Sequence, residues 1–294
     1  MSVRTRLIAL FSLILIALGV FSFFTLESKP APAFDGQRAL ADVEYQLTLG
    51  PRIPNSQAHD RVVTWMMQSL KSAGWAVELQ QTRRLGNQVV NIIAKRGTGQ
   101  PWLILGAHYD SRLFADQDPD PELRDQAVPG ANDGASGVAV LLELARVLPR
   151  ELDKQVWLVF FDAEDNGRIE GWDWILGSRV FAESLNSHPE GVVIVDMVGD
   201  EDLQIYLEAN SDESLRQQIW QQAADLGYED VFINEVRHSM LDDHTPFLEL
   251  GIPAIDIIDF DYPYWHTTLD TLDKVSAVSL QAVGETLLAW VNSQ

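Results

Sequence analysis

The sequence predicts an α/β fold: a three-layer sandwich with a mainly parallel central sheet and helices on both faces. Short strand-type runs alternate with segments of helical spacing along the chain, and no stretch repeats. Several of the strand-type runs are apolar, which is typical of parallel strands covered on both faces. At 294 residues the chain is long enough for one large domain with a sizeable core.

Each element follows from a local pattern. Helical spacing of apolar residues predicts helices at residues 39–49, 59–73, 137–148, 177–185, 211–226, 245–250 and 276–291. Strand patterns predict strands at residues 75–81, 88–95, 102–106, 156–161, 192–195, 203–207, 231–234 and 254–258. Gly74, Gly227 and Gly251 follow predicted helices, and glycine at that position ends a helix. The charged, proline-bearing segment 116–129 is a predicted loop.

The N-terminal segment is predicted to be separate from the catalytic body. Arg4 and Arg6 precede an uninterrupted apolar run over residues 7–26, which as a helix would rise roughly 30 Å, about the thickness of the hydrocarbon layer. We therefore expect residues 1–26 to be a membrane anchor with a cytoplasmic N-terminus, or else a cleaved signal segment. Residues 27–36 form a predicted linker and residues 37–294 the catalytic domain. That domain is expected outside the cytoplasm, either anchored or secreted.

Composition narrows the range of partners. The formal net charge is −22, which argues against nucleic acid and against an anionic membrane surface as a binding partner of the main body. The chain has no cysteine, so the fold has no disulfide bonds. Any metal must therefore be held by nitrogen and oxygen ligands.

Five short patches together predict a metal site. They are His108-Tyr109-Asp110, Asn132-Asp133-Gly134, Glu164-Asp165, Asp196 and Trp265-His266-Thr267. Four of the five follow an apolar strand-type run, so their side chains are expected along the carboxyl edge of the sheet, where α/β folds bind ligands. Two imidazoles and several carboxylates suit a borderline metal such as zinc.

The individual residues allow more than one interpretation. His108 could bind metal while Asp110, which points the same way on an extended strand, orients the imidazole. Asp133 lies near a helix start, where it could cap the helix or bridge two metals. The adjacent carboxylates of Glu164 and Asp165 repel each other, so one would be a ligand and the other a general base, unless both are solvated loop acids.

Asp196 and His266 are equally ambiguous when taken alone. Asp196 ends an apolar strand and could cap the next element, and His266 lies among aromatic residues that could be core or pocket wall. The charge balance favours a pair of ions, because the negative charges of three ligand carboxylates and one bridging hydroxide equal the positive charge of two zinc ions. Glu164 would then be left free to accept a proton.

In this order, the motifs resemble the zinc aminopeptidases of metallopeptidase family 28, whose superfamily also contains glutaminyl-peptide cyclotransferases and transferrin-receptor-like proteins. The matching segments are residues 106–111, 132–137, 160–165 and 266–271. The resemblance implies that Asp133 bridges two metals, that His108 and Asp196 complete one site and Asp165 and His266 the other, and that Glu164 is the general base. The family usually has Glu where this chain has Asp165. The resemblance therefore leaves open whether the site holds one zinc ion or two.

Other features are similar to the cyclotransferase branch. They are residues 50–54 (Gly-Pro-Arg-Ile-Pro), the tryptophan-bearing insertion 168–174, the segment 242–247 and Trp265 directly before His266. This similarity implies that Asp242 takes part in proton transfer. It also implies that Trp172, Trp174 and Trp265 surround the substrate, with core packing as the alternative for the first two.

The sequence therefore predicts a zinc enzyme that acts on the free N-termini of peptides or proteins. The leading expectation is hydrolysis of the first peptide bond, with Glu164 moving the proton from water to the leaving amine. The alternative is cyclisation of N-terminal glutamine to pyroglutamate. A third possibility is a non-catalytic, receptor-like binding domain.

Overall fold

The structure is a computed structural model, which describes residues 33–98 and 101–294. The helices are α1 (Gly36–Thr48), α2 (Gln57–Ser72), α3 (Ala135–Val147), α4 (Leu176–Glu183), α5 (Glu213–Asp225), α6 (Thr245–Glu249) and α7 (Ala277–Ser293). The strands are β1 (Ala76–Arg84), β2 (Asn87–Arg96), β3 (Pro101–His108), β4 (Gln155–Phe161), β5 (Gly191–Asp196), β6 (Ile205–Leu207), β7 (Phe232–Val236) and β8 (Ala254–Ile258). Every predicted helix and strand is present, with ends that differ by a few residues.

Six strands form the central sheet in the order β1-β2-β4-β3-β5-β8. Strands β4, β3, β5 and β8 are mutually parallel, whereas β2 is antiparallel to both β1 and β4. The β1–β2 hairpin is closed by Leu85 and Gly86, both with positive φ, as a two-residue hairpin turn requires. β6 and β7 pair in a separate two-stranded parallel sheet.

The sheet has a hydrophobic core on each face, which confirms the predicted three layers. In β5, Val193 and Val195 face the core formed with α1, α2, α3, α5 and α7, and Val192 and Ile194 face the core formed with α4 and α6. Successive side chains of a strand point to opposite faces, so an apolar strand of this kind is buried on both sides.

The start of the domain differs slightly from the prediction. α1 begins at Gly36, and Phe34, which lies in the predicted linker, is 3% exposed and belongs to the core. A Cβ atom on Gly284 of α7 would overlap the Phe34 ring, so this glycine makes room for the aromatic side chain. The predicted anchor lies outside the described residues. In the part of the chain that is described, no helix combines the length and apolarity needed to cross a bilayer.

A close contact between α3 and β5 positions two of the predicted ligands. A Cβ atom on Gly137, in the first turn of α3, would lie only 2.1 Å from the carbonyl oxygen of Val195. The absence of a side chain therefore lets the start of α3 rest on the end of β5. Asp133, just before α3, is thereby brought next to Asp196, which ends β5.

We expect Gly137→Ala to destabilise the fold by about 1–3 kcal/mol, the usual cost of overpacking a core, because backbone rather than a flexible side chain must move. Urea unfolding measures the change. Gln217→Ala, on the exposed face of α5, is the control and should stay within about 0.5 kcal/mol of wild type. If Gly137→Ala unfolds at the wild-type urea concentration, the contact does not constrain the two elements.

Candidate metal centre

His108 ends β3 and lies at the centre of one cluster of ligands. Its Nε2 atom is 3.1 Å from Asp133 Oδ1 and 3.1 Å from Asp196 Oδ1. Its Nδ1 atom is 3.4 Å from Asp110 Oδ1, so Asp110 lies where it can orient the imidazole. Asp110 also accepts a 3.0 Å hydrogen bond from the backbone N–H of Glu164, which ties the loop after β4 to the end of β3.

His266 lies at the centre of a second cluster. Its Nε2 atom is 2.7 Å from Asp165 Oδ1 and 3.7 Å from Asp133 Oδ2. The two oxygens of Asp133 thus face different imidazoles, as expected of a carboxylate that bridges two ions. On the other side of the ring, Nδ1 is 3.5 Å from Asp116 Oδ1, and Arg112 donates two hydrogen bonds to the Asp116 carboxylate.

Asp116 is a site residue that the sequence analysis did not identify. It lies at the start of the segment predicted only as a loop, and nothing in its spacing distinguishes it from the other acids there. The structure shows that it supports His266 much as Asp110 supports His108. Both imidazoles therefore have a carboxylate behind the nitrogen that faces away from the metal ligands.

Two carboxylate oxygens of the predicted ligands are buried and free to bind an ion. Asp133 Oδ2 and Asp165 Oδ2 have no hydrogen-bond partner among the described residues. Asp133 does not cap α3. The N-cap residue is Gly134, and this end of the helix has no side-chain capping hydrogen bond. The loop is instead held by Asp270, which accepts hydrogen bonds from the backbone N–H groups of Asn132 and Asp133. Two imidazoles and three carboxylates in this arrangement fit zinc.

A buried arginine explains the Gly-Pro-Arg motif. Arg52 is fully buried and donates hydrogen bonds to the backbone carbonyls of Tyr109, Pro129 and Gly130. It therefore joins the segment after β3 to the loop that carries Asp133. Burial lowers the pKa of Arg52, and the surrounding carboxylates oppose that shift.

The two clusters open into a cleft of about 210 Å³. Its polar lining includes Glu164 and Asp242. Its apolar lining comes from the end of β8 and the segment after it, from the two residues before Asp242, from Met197 after β5, and from two tryptophans. The Trp265 ring stacks on the His266 imidazole at 3.6 Å between centroids, and the Trp174 ring lies nearly parallel to the same imidazole at 6.0 Å. The cleft thus has aromatic surfaces beside one metal cluster.

Trp172 is placed elsewhere. It packs against Val89, Ala163 and Leu176, and it is not among the residues that line the cleft. Trp174 is instead held toward the site by Arg112, whose guanidinium carbon is 5.0 Å from the ring centroid. Of the two tryptophans in the insertion, only Trp174 therefore lies where it could contact a substrate.

The acids of the cleft are strongly perturbed. Burial raises the pKa of Glu164 well above its usual range, and repulsion by Asp242 and Asp165 adds to the shift. Burial and the nearby Asp196 raise the pKa of Asp242 to about 7. Burial and Asp133 raise the pKa of Asp165 to about 6. A divalent cation at the ligands would oppose these shifts, because it favours the ionised carboxylates.

At the edge of the sheet, the backbone adopts left-handed conformations that residues other than glycine seldom take. Ala163, Met197 and His266 have φ values of 53°, 46° and 56°, and each lies next to or at a predicted site residue. Such left-handed residues cost about 1–3 kcal/mol each and concentrate at functional sites. Here they turn the chain sharply, so that Glu164, Asp196 and the His266 imidazole face the cleft.

The structure thus places all five predicted ligands in two three-residue clusters that share Asp133.

Known proteins resemble the chain over most of its length. It is 29% identical to a glutaminyl-peptide cyclotransferase of Gloydius blomhoffii, over 82% of this chain and 76% of that protein. The structure of Porphyromonas gingivalis glutaminyl cyclase matches with a TM-score of 0.84 and 34% identity, covering 90% of this chain and all of the other. A leucine aminopeptidase precursor from Bacteroides thetaiotaomicron matches with a TM-score of 0.83 and 31% identity, covering 90% and 99%.

The sequence profile of Peptidase family M28 matches residues 89–291, which include all five predicted ligands and Glu164. The match confirms the resemblance inferred from the motifs. Together with the donor set, it also confirms the predicted zinc cofactor and the prediction that the chain is an enzyme. The chain belongs to peptidase family M28.

Proposed function

We propose that this enzyme is a glutaminyl cyclase, which converts N-terminal glutamine of peptides or proteins to pyroglutamate. The observation that carries the proposal is the position of Asp242. This carboxyl group is absent from both catalytic ligand clusters, yet it lines the cleft with Glu164 and Asp196. Hydrolysis with Glu164 as the proton carrier gives Asp242 no part, whereas the similarity of segment 242–247 to the cyclotransferase branch implies a part for Asp242 in proton transfer.

Cyclisation consumes no water, because the α-amine of the substrate is the nucleophile, and it requires a proton to move from that amine to the leaving nitrogen. The α-amine nitrogen attacks the side-chain amide carbon, a new C–N bond closes the ring, and the amide C–N bond breaks to release ammonia. Glu164 takes the proton from the attacking amine and delivers it to the leaving nitrogen. Asp242 lines the same cleft, and its charge raises the pKa of Glu164. Asp133, Asp165 and His266 would hold a zinc ion, which would supply polarisation of the amide carbonyl.

The shape of the cleft suits a single small residue. Its volume of about 210 Å³ is below the roughly 300–1,000 Å³ usual for larger ligands. Trp174 and Trp265 provide flat apolar surfaces against which the glutamine side chain can fold back toward its own amine. The chain following the first residue would leave through the open side of the cleft.

The matches to known proteins support this assignment without deciding it. Several of them are named as glutaminyl cyclases or cyclotransferases, but one of similar TM-score is named as an aminopeptidase precursor. One observation favours aminopeptidase activity as the second candidate. His108 and Asp196 complete a second ligand cluster with Asp133, as a two-ion hydrolytic site requires.

Incubation of the zinc-loaded protein with a peptide that begins with glutamine separates the two reactions. Cyclisation shortens the peptide by the mass of ammonia and frees no amino acid. Release of free glutamine, with no loss of ammonia from the peptide, would overturn the cyclase assignment in favour of the aminopeptidase. A peptide that begins with leucine is the control and should stay unchanged under the cyclase proposal.

We further propose that residues 1–26 place the enzyme outside the cytoplasm, as an anchor or as a cleaved segment. The support is Arg4 and Arg6 before the apolar run of residues 7–26. Fractionation of cells that express the full chain, beside cells expressing residues 33–294, tests this placement. Recovery of both proteins in the cytoplasm would contradict it.

We expect Glu164→Gln to retain zinc but to lose about 10²- to 10⁴-fold in kcat, because the amide cannot accept the proton. Metal analysis and the glutamine-peptide assay on the same sample measure both properties. His266→Ala is the matched comparison and should lose zinc together with activity. Wild-type kcat in Glu164→Gln would refute the assigned role.

We expect Trp174→Ala to raise KM for the glutamine peptide by about 2- to 10-fold, the usual worth of an aromatic contact. Trp172→Ala is the control within the same insertion. Because Trp172 packs away from the cleft, its replacement should lower the thermal stability but leave KM unchanged. Equal KM values for wild type and Trp174→Ala would remove Trp174 from the substrate pocket.

A further inference from the structure

A second group of buried charged residues lies behind the cleft wall. Asp256 lies in the middle of β8, His244 directly precedes α6, and Asp242 is two residues before His244. All three are nearly or fully buried. Along β8, Ile255 and Ile257 face one hydrophobic core, so Asp256 points to the opposite face.

The polar atoms of this group are not satisfied by the protein. Both ring nitrogens of His244 and both carboxylate oxygens of Asp256 have no hydrogen-bond partner among the described residues. Burying such groups without a partner is costly. The chain contains a contrasting pair, because the buried His59 and Asp162 make an ordinary hydrogen bond of 2.8 Å.

The separations suit ligands of a shared ion better than hydrogen bonds. His244 Nδ1 lies 3.8 Å from Asp256 Oδ2, which is too long for a hydrogen bond. Two donors bound about 2.1 Å from one tetrahedral ion lie about 3.4 Å apart. One ligand atom from each of Asp242, His244 and Asp256 lies within 4.8 Å of the others.

A carboxylate lies on the far side of the imidazole. Glu208 Oε2 is 3.4 Å from His244 Nε2, opposite the nitrogen that faces Asp256. Glu208 is held in place by hydrogen bonds from Ser211 and from the backbone N–H of Met240. The arrangement repeats that of Asp110 behind His108, where a carboxylate orients a metal-binding ring.

The group also lacks a compensating positive charge. Four buried carboxylates belong to this region. Glu208 and Asp256 lie beside the His244 imidazole, and Asp242 and Asp243 directly precede it in the chain. Over residues 33–98 and 101–294, no lysine or arginine forms an ion pair with any of the four. A divalent cation would provide the missing charge and would use the unpartnered atoms at the same time.

We propose that Asp242, His244 and Asp256 form a separate metal site that holds a divalent transition metal. An imidazole with two carboxylates favours zinc or manganese over calcium. The ion would tie β8 to the segment that carries Asp242, and so would fix Asp242 from behind where it lines the cleft. The site is distinct from the two clusters that share Asp133, but it shares Asp242 with the reaction proposed for the cleft.

Metal analysis and diffraction test the proposal with zinc as the probe. The full chain is stripped with a chelator, equilibrated with Zn²⁺ and analysed for bound zinc per chain. We expect Asp256→Asn to bind one ion fewer than wild type. Asp162→Asn, which alters an equally buried acid in an ordinary hydrogen bond, should bind the wild-type number. Anomalous diffraction at the zinc edge from wild-type crystals should show a peak among Asp242, His244 and Asp256.

Equal zinc content in wild type and Asp256→Asn would overturn the proposal. If Asp256→Asn fails to fold, the wild-type anomalous map decides, and the absence of a peak at the three residues rejects the site. The glutamine-peptide assay on the wild-type sample reports separately on the proposed reaction. Failure of the cyclase proposal would therefore leave the metal count and the map unaffected.

Discussion

Mutual repulsion among buried carboxylates is the constraint on which the arrangement of this site depends. Asp133, Glu164, Asp165, Asp196 and Asp242 all lie at one edge of the sheet and are almost fully buried. Burial and mutual charge raise the pKa of most of them, so the protein groups alone do not stabilise five ionised acids. Zinc supplies the opposing charge, which couples the folded geometry of the cleft to metal binding.

The protein divides its acids into those that face the metal and those that hold the chain. Asp110 and Asp270 accept hydrogen bonds from backbone N–H groups next to the ligands, at Glu164 and at Asp133. Asp116 instead supports an imidazole and is held by Arg112. His108, Asp133 and His266 are thus each positioned by a second carboxylate that accepts N–H hydrogen bonds or is held by arginine. The N–H donors and Arg112 contact the supporting carboxylates, so oxygens of Asp133 and Asp165 stay free for the ion.

The three layers, the mainly parallel sheet and the convergence of the five predicted ligands were accessible to prediction, because strand ends are marked by a change from apolar to polar residues. Of the supporting acids, only Asp110 was predicted, because Asp116 and Asp270 lie in irregular segments where contacts arise only from the tertiary fold. Trp172 shows the reverse difficulty. It lies two residues from Trp174, and only the packing shows that their side chains reach different places. Asp256 was likewise hidden inside an apolar strand pattern.

The presence of Asp165, where the family resemblance implies Glu, raises the question of how a shorter side chain reaches the metal. Its Oδ1 atom is nevertheless 2.7 Å from His266 Nε2, within the same cluster. The buried Arg112 donates a 2.8 Å hydrogen bond to the backbone carbonyl of Asp165 and another to that of Gly167. These bonds anchor the loop that carries Asp165, and they hold the shorter carboxylate beside His266. Arg112 also contacts Trp174, and one side chain therefore sets both a ligand and a wall of the substrate cleft.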